Sequence, residues 1–279
     1  MPDPRALNGS LLQLSTPAAI LAFASEHASA LNSVNCATAL HRLAKQGATA
    51  STKFTPLVAR TASVLRSDAR HVTARSLTSI AWASAKLQLD DAGLWAAVSA
   101  SAASLLPSLD AYALANVAWA LATVRRVAPE ADGALLEALA EAALARLGEF
   151  KPQELCNLLW AFATLKRRHR ALFEAASAAA ARFCGAGFTA QGLSQTVWAF
   201  AKLGLAKHAL LVAAAAAAKP RAAQYDPQSL ATLAWAFANL EVEHAPLIGA
   251  VSAQARARPA AFDGTSCACL LYTSPSPRD

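Results

Sequence analysis

The sequence predicts an all-α fold, an α-solenoid of about six helix–turn–helix repeats with a 37–41 residue period. Three observations predict it. A phrase built around tryptophan recurs in register: Trp82, Trp119, Trp160, Trp198 and Trp235 are spaced by 37, 41, 38 and 37 residues, and His41 fills the same slot 41 residues before Trp82. Nine residues before these anchors stand Asn32, Thr73, Asp110, Lys151, Thr189 and Asp226; five of the six can cap a helix by accepting a bond from its unpaired first-turn N–H groups. No segment has the alternating, β-branched pattern of a strand. Two helices per period, each pair burying its apolar face only against its neighbours, is the arrangement of a solenoid.

The copies can be taken in order. The first, "LNSVNCATALHRLAKQG", has Leu31 before its cap Asn32 and Cys36 four residues after it. An apolar residue ahead of the cap, packed on one in the first turns, is a hydrophobic staple. The second copy repeats it with Val72 and Leu77, the third with Leu109 and Leu114. In the fourth, Phe150 and Leu155 make the staple; Lys151 cannot accept a bond, but Pro152 follows it at the first helical position, where proline is tolerated. The fifth uses Phe188 and Leu193, the sixth Tyr225 and Leu230. Each copy therefore opens a helix, A, of about 14 residues. Short polar or Gly/Pro-bearing joints follow, then a second alanine-rich helix, B, as in Ala92–Leu106, Ala134–Leu147, Ala171–Phe183 and Leu210–Ala222.

A partial seventh copy begins at about Phe262, with Tyr272 in the anchor slot. There the pattern breaks. "CLLYTSPSPRD", Cys269–Asp279, would place Pro275 and Pro277 inside a helix, at about 3 kcal/mol each. This string resembles a translated transposon-end sequencing adapter. The solenoid is accordingly expected to span residues 1–268, with the natural chain continuing into further repeats beyond. A genomic read encoding the same tail would refute that. At the other end, "MPDPRALNGSLLQLSTPAAILAFASEH" has no charged region ahead of an apolar core, so no targeting segment is evident in it.

Composition bounds the chemistry. The chain has 279 residues, 55% hydrophobic, with a mean hydropathy of +0.31. Alanine dominates because it has the best helix propensity and lets helices approach closely. The longest uncharged stretch near the middle, residues 92–109, holds several serines and Pro107. A membrane span needs about 20 apolar residues, so packed helices are expected and membrane insertion is not. Cys36, Cys156, Cys184, Cys267 and Cys269 form neither a disulfide framework nor a zinc pattern, and read as small buried residues in a reducing compartment. The six histidines stand singly, so no metal site and no cofactor are expected. With no phosphate loop, triad or carboxylate pair, the chain reads as a non-enzyme without a small-molecule substrate.

One face of helix A carries the candidate site. Positions two, six and thirteen after the cap are four and then seven residues apart and share a side of the helix. In the first copy they are Val34, Thr38 and Lys45; in the second, Arg75, Ser79 and Lys86; in the third, Tyr112, Asn116 and Thr123. The fourth has Gln153, Asn157 and Thr164, the fifth Gln191, Gln195 and Lys202, the sixth Gln228, Thr232 and Asn239. Amides and hydroxyls both donate and accept, which suits the edges of unstacked bases, and helical repeats that read single-stranded RNA use two or three side chains per repeat. The same pattern is also what a solvated helix face would show.

The net charge of +7 and pI near 9.4 permit an anionic partner. Cations cluster where helix A ends: Arg125 and Arg126, then Lys166, Arg167, Arg168 and Arg170, then Lys207. They are candidate phosphate contacts, although cations also favour helix C-termini through the macrodipole. The anchor tryptophan, amid Leu158, Leu159, Ala161 and Phe162, reads as core rather than as a stacking platform. On that reading Trp160→Ala should cost about 3–5 kcal/mol.

"ELCNLLWAFATLK", "GLSQTVWAFAKLG" and "SLATLAWAFANLE" resemble the octotricopeptide and heptatricopeptide repeats of organellar RNA-binding proteins. They are also similar to the leucine-rich region of FAST-kinase-like RNA regulators and to RNA-editing substrate-binding complex subunits. The resemblance runs from about Leu31 to Leu271; the first copy departs from it, with His41-Arg42-Leu43 in place of Trp-Ala-Phe. It implies helix pairs that bind single-stranded RNA, alongside organellar ribonucleoprotein subunits, in RNA processing, stability, translation or ribosome assembly. It implies a mitochondrion, or alternatively a plastid. Many members carry a C-terminal RAP domain, which is not seen in this sequence. The competing expectation is a protein–protein scaffold in an organellar ribosome or RNA-editing complex.

Overall fold

The computed structural model of the chain describes residues 3–124, 131–185 and 187–262. Among them are fourteen α-helices, short 3-10 turns and no strand. The A helices are α3 (Ser33–Lys45), α5 (Ala74–Lys86), α7 (Ala111–Val124), α9 (Pro152–Thr164), α11 (Ala190–Lys202) and α13 (Pro227–Asn239). Their B partners are α4 (Thr55–Ser67), α6 (Ala92–Leu105), α8 (Ala131–Ala145), α10 (Arg170–Phe183), α12 (His208–Ala218) and α14 (Ala245–Ala257). A pair that the repeat pattern does not reveal precedes them, α1 (Pro4–Gln13) and α2 (Pro17–Glu26). The expected Leu210–Ala222 helix stops early, at Ala218, and a 3-10 segment over Lys219–Gln224 replaces its end because Pro220 cannot supply a backbone donor. The tail from Cys269 and the partial seventh copy beyond Phe262 lie outside the described residues.

The chain divides into two compact units, Met1–Ala142 and Ala143–Asp279. Within the first, α3 packs on α5 and α5 on α7, while α4 packs on α6. Within the second, α9 packs on α11 and α11 on α13, while α10 packs on α12. Each unit is thus a layer of A helices backed by a layer of B helices, the solenoid arrangement. The extra pair follows the same rule, with α1 against α3 and α2 against α4.

Local chemistry sets the helix ends. Thr73 accepts from the Ser76 N–H at 3.1 Å while Ser76 Oγ takes the Thr73 N–H at 3.0 Å. Asn32 and Asn35 make the same reciprocal box. Asp110, Thr189 and Asp226 cap through one carboxylate or hydroxyl oxygen at 2.8–3.0 Å. At Lys151, which has no acceptor, Glu154 instead takes the Lys151 N–H at 2.8 Å. The α1 helix is tied down by two side chains of α3. Asn35, fully buried, donates to the Pro4 carbonyl at 2.9 Å, and the Arg42 guanidinium donates to the carbonyls of Leu11 and Leu14.

Fifteen residues after the cap, every A helix whose closing turn is described ends the same way. Gly47, Gln88, Lys166, Gly204 and Glu241 have φ of 65°, 54°, 55°, 64° and 54°. In each, the left-handed residue donates to the carbonyl three back and its successor donates to the one five back; Glu241 N to Ala238 O is 2.9 Å and Val242 N to Phe237 O is 3.0 Å. That is the Schellman closure, which glycine adopts without penalty and other residues do not. Gln88→Gly and Glu241→Gly are therefore expected each to raise stability by about 1 kcal/mol, read as a higher thermal midpoint. A lower midpoint would show that those side chains hold contacts outweighing the backbone strain.

The core is filled by the residue two after the anchor. Phe162, Phe200 and Phe237 are at most 1% exposed, and Phe200 meets Phe173 edge-on with ring centroids 5.2 Å apart. Cys36, Cys156 and Cys184 are buried and free, and burial pushes each thiol up to about 11, so none is a thiolate at neutral pH. Cys267 and Cys269 lie outside the described residues.

Candidate nucleic-acid interface

In α-helical geometry, positions two, six, nine and thirteen after the cap fall on one side. Position two is exposed in all six copies, as Val34, Arg75, Tyr112, Gln153, Gln191 and Gln228. Position six is half-buried as Thr38, Ser79, Asn157, Gln195 and Thr232, and buried as Asn116. At position thirteen Lys45, Lys86, Lys202 and Asn239 are exposed, and Thr123 and Thr164 are half-buried. Because consecutive A helices pack side by side within each unit, three such rows form a stripe across α3, α5 and α7, and three more across α9, α11 and α13.

The polar groups of this stripe are partly engaged. Asn116 Nδ2 donates to the Tyr112 carbonyl at 2.8 Å, and Thr123 Oγ1 to the Trp119 carbonyl at 2.8 Å. Gln153 Nε2 donates to Asn157 Oδ1 at 2.8 Å. Two contacts bridge neighbouring helices: Cys156 Sγ donates to Gln195 Oε1 at 3.5 Å, and Asn239 Nδ2 to the Ala201 carbonyl at 2.9 Å. Thr164 Oγ1 is buried with no hydrogen-bond partner. Gln191 and Gln228 stand at their helix starts with solvent access.

The anchors differ from expectation. Trp82, Trp119, Trp160, Trp198 and Trp235 are all half-buried, not core. The reason is helical phase: position nine lies seven residues, about two turns, beyond position two and joins the stripe, while position eleven turns inward. This signal was present in the spacing of the sequence itself. Trp95, outside the repeat phrase, shows what a buried indole looks like: it is 9% exposed and donates to the Leu89 carbonyl at 2.8 Å.

In the first unit the stripe borders an open groove of about 720 Å³. It is lined by Leu12, Val34, Thr38, His41 and Arg42, together with Thr73, Arg75, Ser76, Thr78, Ser79, Ser108, Asp110 and Tyr112. The His41 ring lies 5.3 Å from that of Trp82, and Lys45 Nζ sits 5.7 Å over the Trp82 ring. Burial, with Lys45 adding repulsion, holds the His41 pKa below its ordinary value. The folded ring thus binds a proton more weakly than the unfolded one, so stability is complete above about 6.5 and declines as pH falls from there toward the lowered value. We expect His41→Trp to flatten that decline in thermal midpoint across the range. An unchanged slope would assign it to other groups.

The cations lie at the turns after the A helices. Lys166, Arg167, Arg168 and Arg170 are exposed around the joint between α9 and α10, with Lys166 in the left-handed closing position. Lys207 is paired with Glu174, whose carboxyl is held below the usual range first by that hydrogen bond. Arg125 and Arg126 lie outside the described residues. The isolated histidines find a use at the same joints: His169 and His244 cap α10 and α14, their Nδ1 accepting at 3.1 Å from Leu172 and Leu247.

A profile for the RNA-editing substrate-binding complex 6 protein family matches residues 51–246, more than two thirds of the chain. The chain belongs to that family. The complex 6 match begins just before α4 and ends in α14, so it takes in all five tryptophan anchors and leaves out the divergent His41 copy. No curated protein matches the chain. No helix among the described residues is long and apolar enough to cross a membrane.

Proposed function

We propose that this chain is a non-enzymatic RNA-binding repeat protein that works in mitochondrial RNA processing, as a subunit of an RNA-editing substrate-binding assembly. Single-stranded RNA lies along the stripe, with hydrogen-bonding side chains at positions two, six and thirteen toward the bases. The cations of the α9–α10 joint lie toward the phosphates. The observation that carries this reading is the solvent access of position two, and the near-uniform half-burial of position six, across six copies whose identities vary while their surroundings stay apolar. A merely solvated face would not need its short polar residues held at one depth. The octotricopeptide and heptatricopeptide likeness of the repeats, and the family match, favour the same ligand.

A specific observation favours a second reading for the first unit. Three of the large hydrophobics exposed in the structure, Leu12, Val34 and Tyr112 at 58%, 45% and 58%, all line its groove. A groove of that character fits a protein partner within the assembly. The two readings are compatible, one unit holding RNA and the other a subunit.

Fluorescence anisotropy of the full chain with a random single-stranded RNA pool, at low and moderate salt, tests the first. Affinity should fall with a log–log slope of roughly −0.7 per phosphate contacted. No binding by the folded protein at low salt would leave the scaffold reading alone.

A further inference from the structure

We propose that Trp160, Trp198 and Trp235 are base-stacking platforms, each receiving one unstacked nucleobase per repeat of the second unit. This rests on the RNA reading above and assigns residues that sequence reasoning placed in the core.

Three observations converge on these rings. Each occupies position nine, on the side of the helix that also carries a solvent-accessible glutamine at position two: Gln153, Gln191 and Gln228. Each is half-buried, although the phenylalanine two residues on is sealed in the core at 1% exposure or less. A tryptophan needed only for packing has a buried form in this protein, Trp95, whose N–H is paired. Finally, among the described residues no ring or cation lies against these three indoles and no protein acceptor takes their N–H. Trp82 differs, since His41 and Lys45 already cover it.

The geometry suits stacking better than intercalation. Packed helices lie about 8–10 Å apart, so rings on α9, α11 and α13 address successive positions along an extended strand. Every base has a π-face, so stacking holds any sequence. The glutamine two turns before each ring and the variable residue at position six would reach the base edge and supply preference. The fixed indole thus accounts for affinity and the changing amides for selectivity.

The unmodified full chain is titrated with a short oligouridine and with the same ribose-phosphate strand lacking bases, following anisotropy and tryptophan emission. The oligouridine should bind about tenfold or more tightly than the baseless strand and should quench emission. Trp198→Phe should keep that preference and Trp198→Leu reduce it severalfold while the protein stays folded at the titration temperature, as its melting curve would show. Equal affinity for the two strands with unaltered emission would overturn the stacking assignment and leave the RNA reading standing. Failure of both strands to bind a folded sample at low salt would overturn both.

Discussion

Phe200→Ala is expected to lower the unfolding free energy by about 3–5 kcal/mol, seen as a shift in the urea midpoint. Phe200 is completely buried at the α10–α11 contact, edge-on to Phe173. Its backbone carbonyl also accepts from Leu205 in the turn that ends α11. Truncation leaves a cavity between two layers whose helices are held by their neighbours on both sides, so the site cannot collapse easily. In a stack of repeats the loss is shared through nearest-neighbour interfaces, and the second unit should soften as a whole. By contrast Trp198→Ala, two residues away on the outer side, should cost about 2 kcal/mol or less, because only part of its surface leaves water on folding. The sequence-based figure of about 3–5 kcal/mol for Trp160→Ala is revised downward for the same reason. Equal costs at 198 and 200 would contradict the assigned helical phase.

Replacing Lys166, Arg167 and Arg168 together by alanine is expected to make the salt dependence of RNA binding shallower by about 2 in log–log slope, roughly 0.7 for each phosphate that is no longer neutralised. The three side chains are exposed in the five-residue joint between α9 and α10. The affinity loss should be uniform across RNA sequences, because phosphate contacts position the strand without reading it. Lys207 should contribute less than Lys166 and Arg168, since its ammonium is paired with Glu174. An unchanged slope would return the basic run to the simpler role of complementing a helix C-terminus.

Much of the fold was legible because each repeat states its own beginning. The cap and staple residues name the start of every A helix within a residue, and Asp91, His169, Lys207 and His244, each eighteen residues after a cap, precede B helices. The first pair, α1 and α2, was missed because it carries no anchor phrase. Its starts were nonetheless written as Asp3-Pro4 and Thr16-Pro17, a cap followed by proline at the first helical position in each case. The stripe was legible from spacing alone. The tryptophans were misjudged because their sequence neighbours, such as Leu159 and Ala161, are buried, whereas their helical neighbours Gln153, Asn157 and Thr164 share the outer side. The groove in the first unit joins residues as distant as Leu12 and Tyr112, a juxtaposition that no local pattern encodes.

The recurrent left-handed closure, with the next helix starting from a fixed register after it in most copies, gives the chain a modular grammar. The segment Thr189–Tyr225 carries its own opening cap, its own turn and, in Tyr225, the first residue of the hydrophobic staple for the helix that follows. Deleting or duplicating it therefore changes the number of repeats by one while every junction keeps its local chemistry. Growth and shortening of such a protein need no new folding problem to be solved, only one more or one fewer letter read.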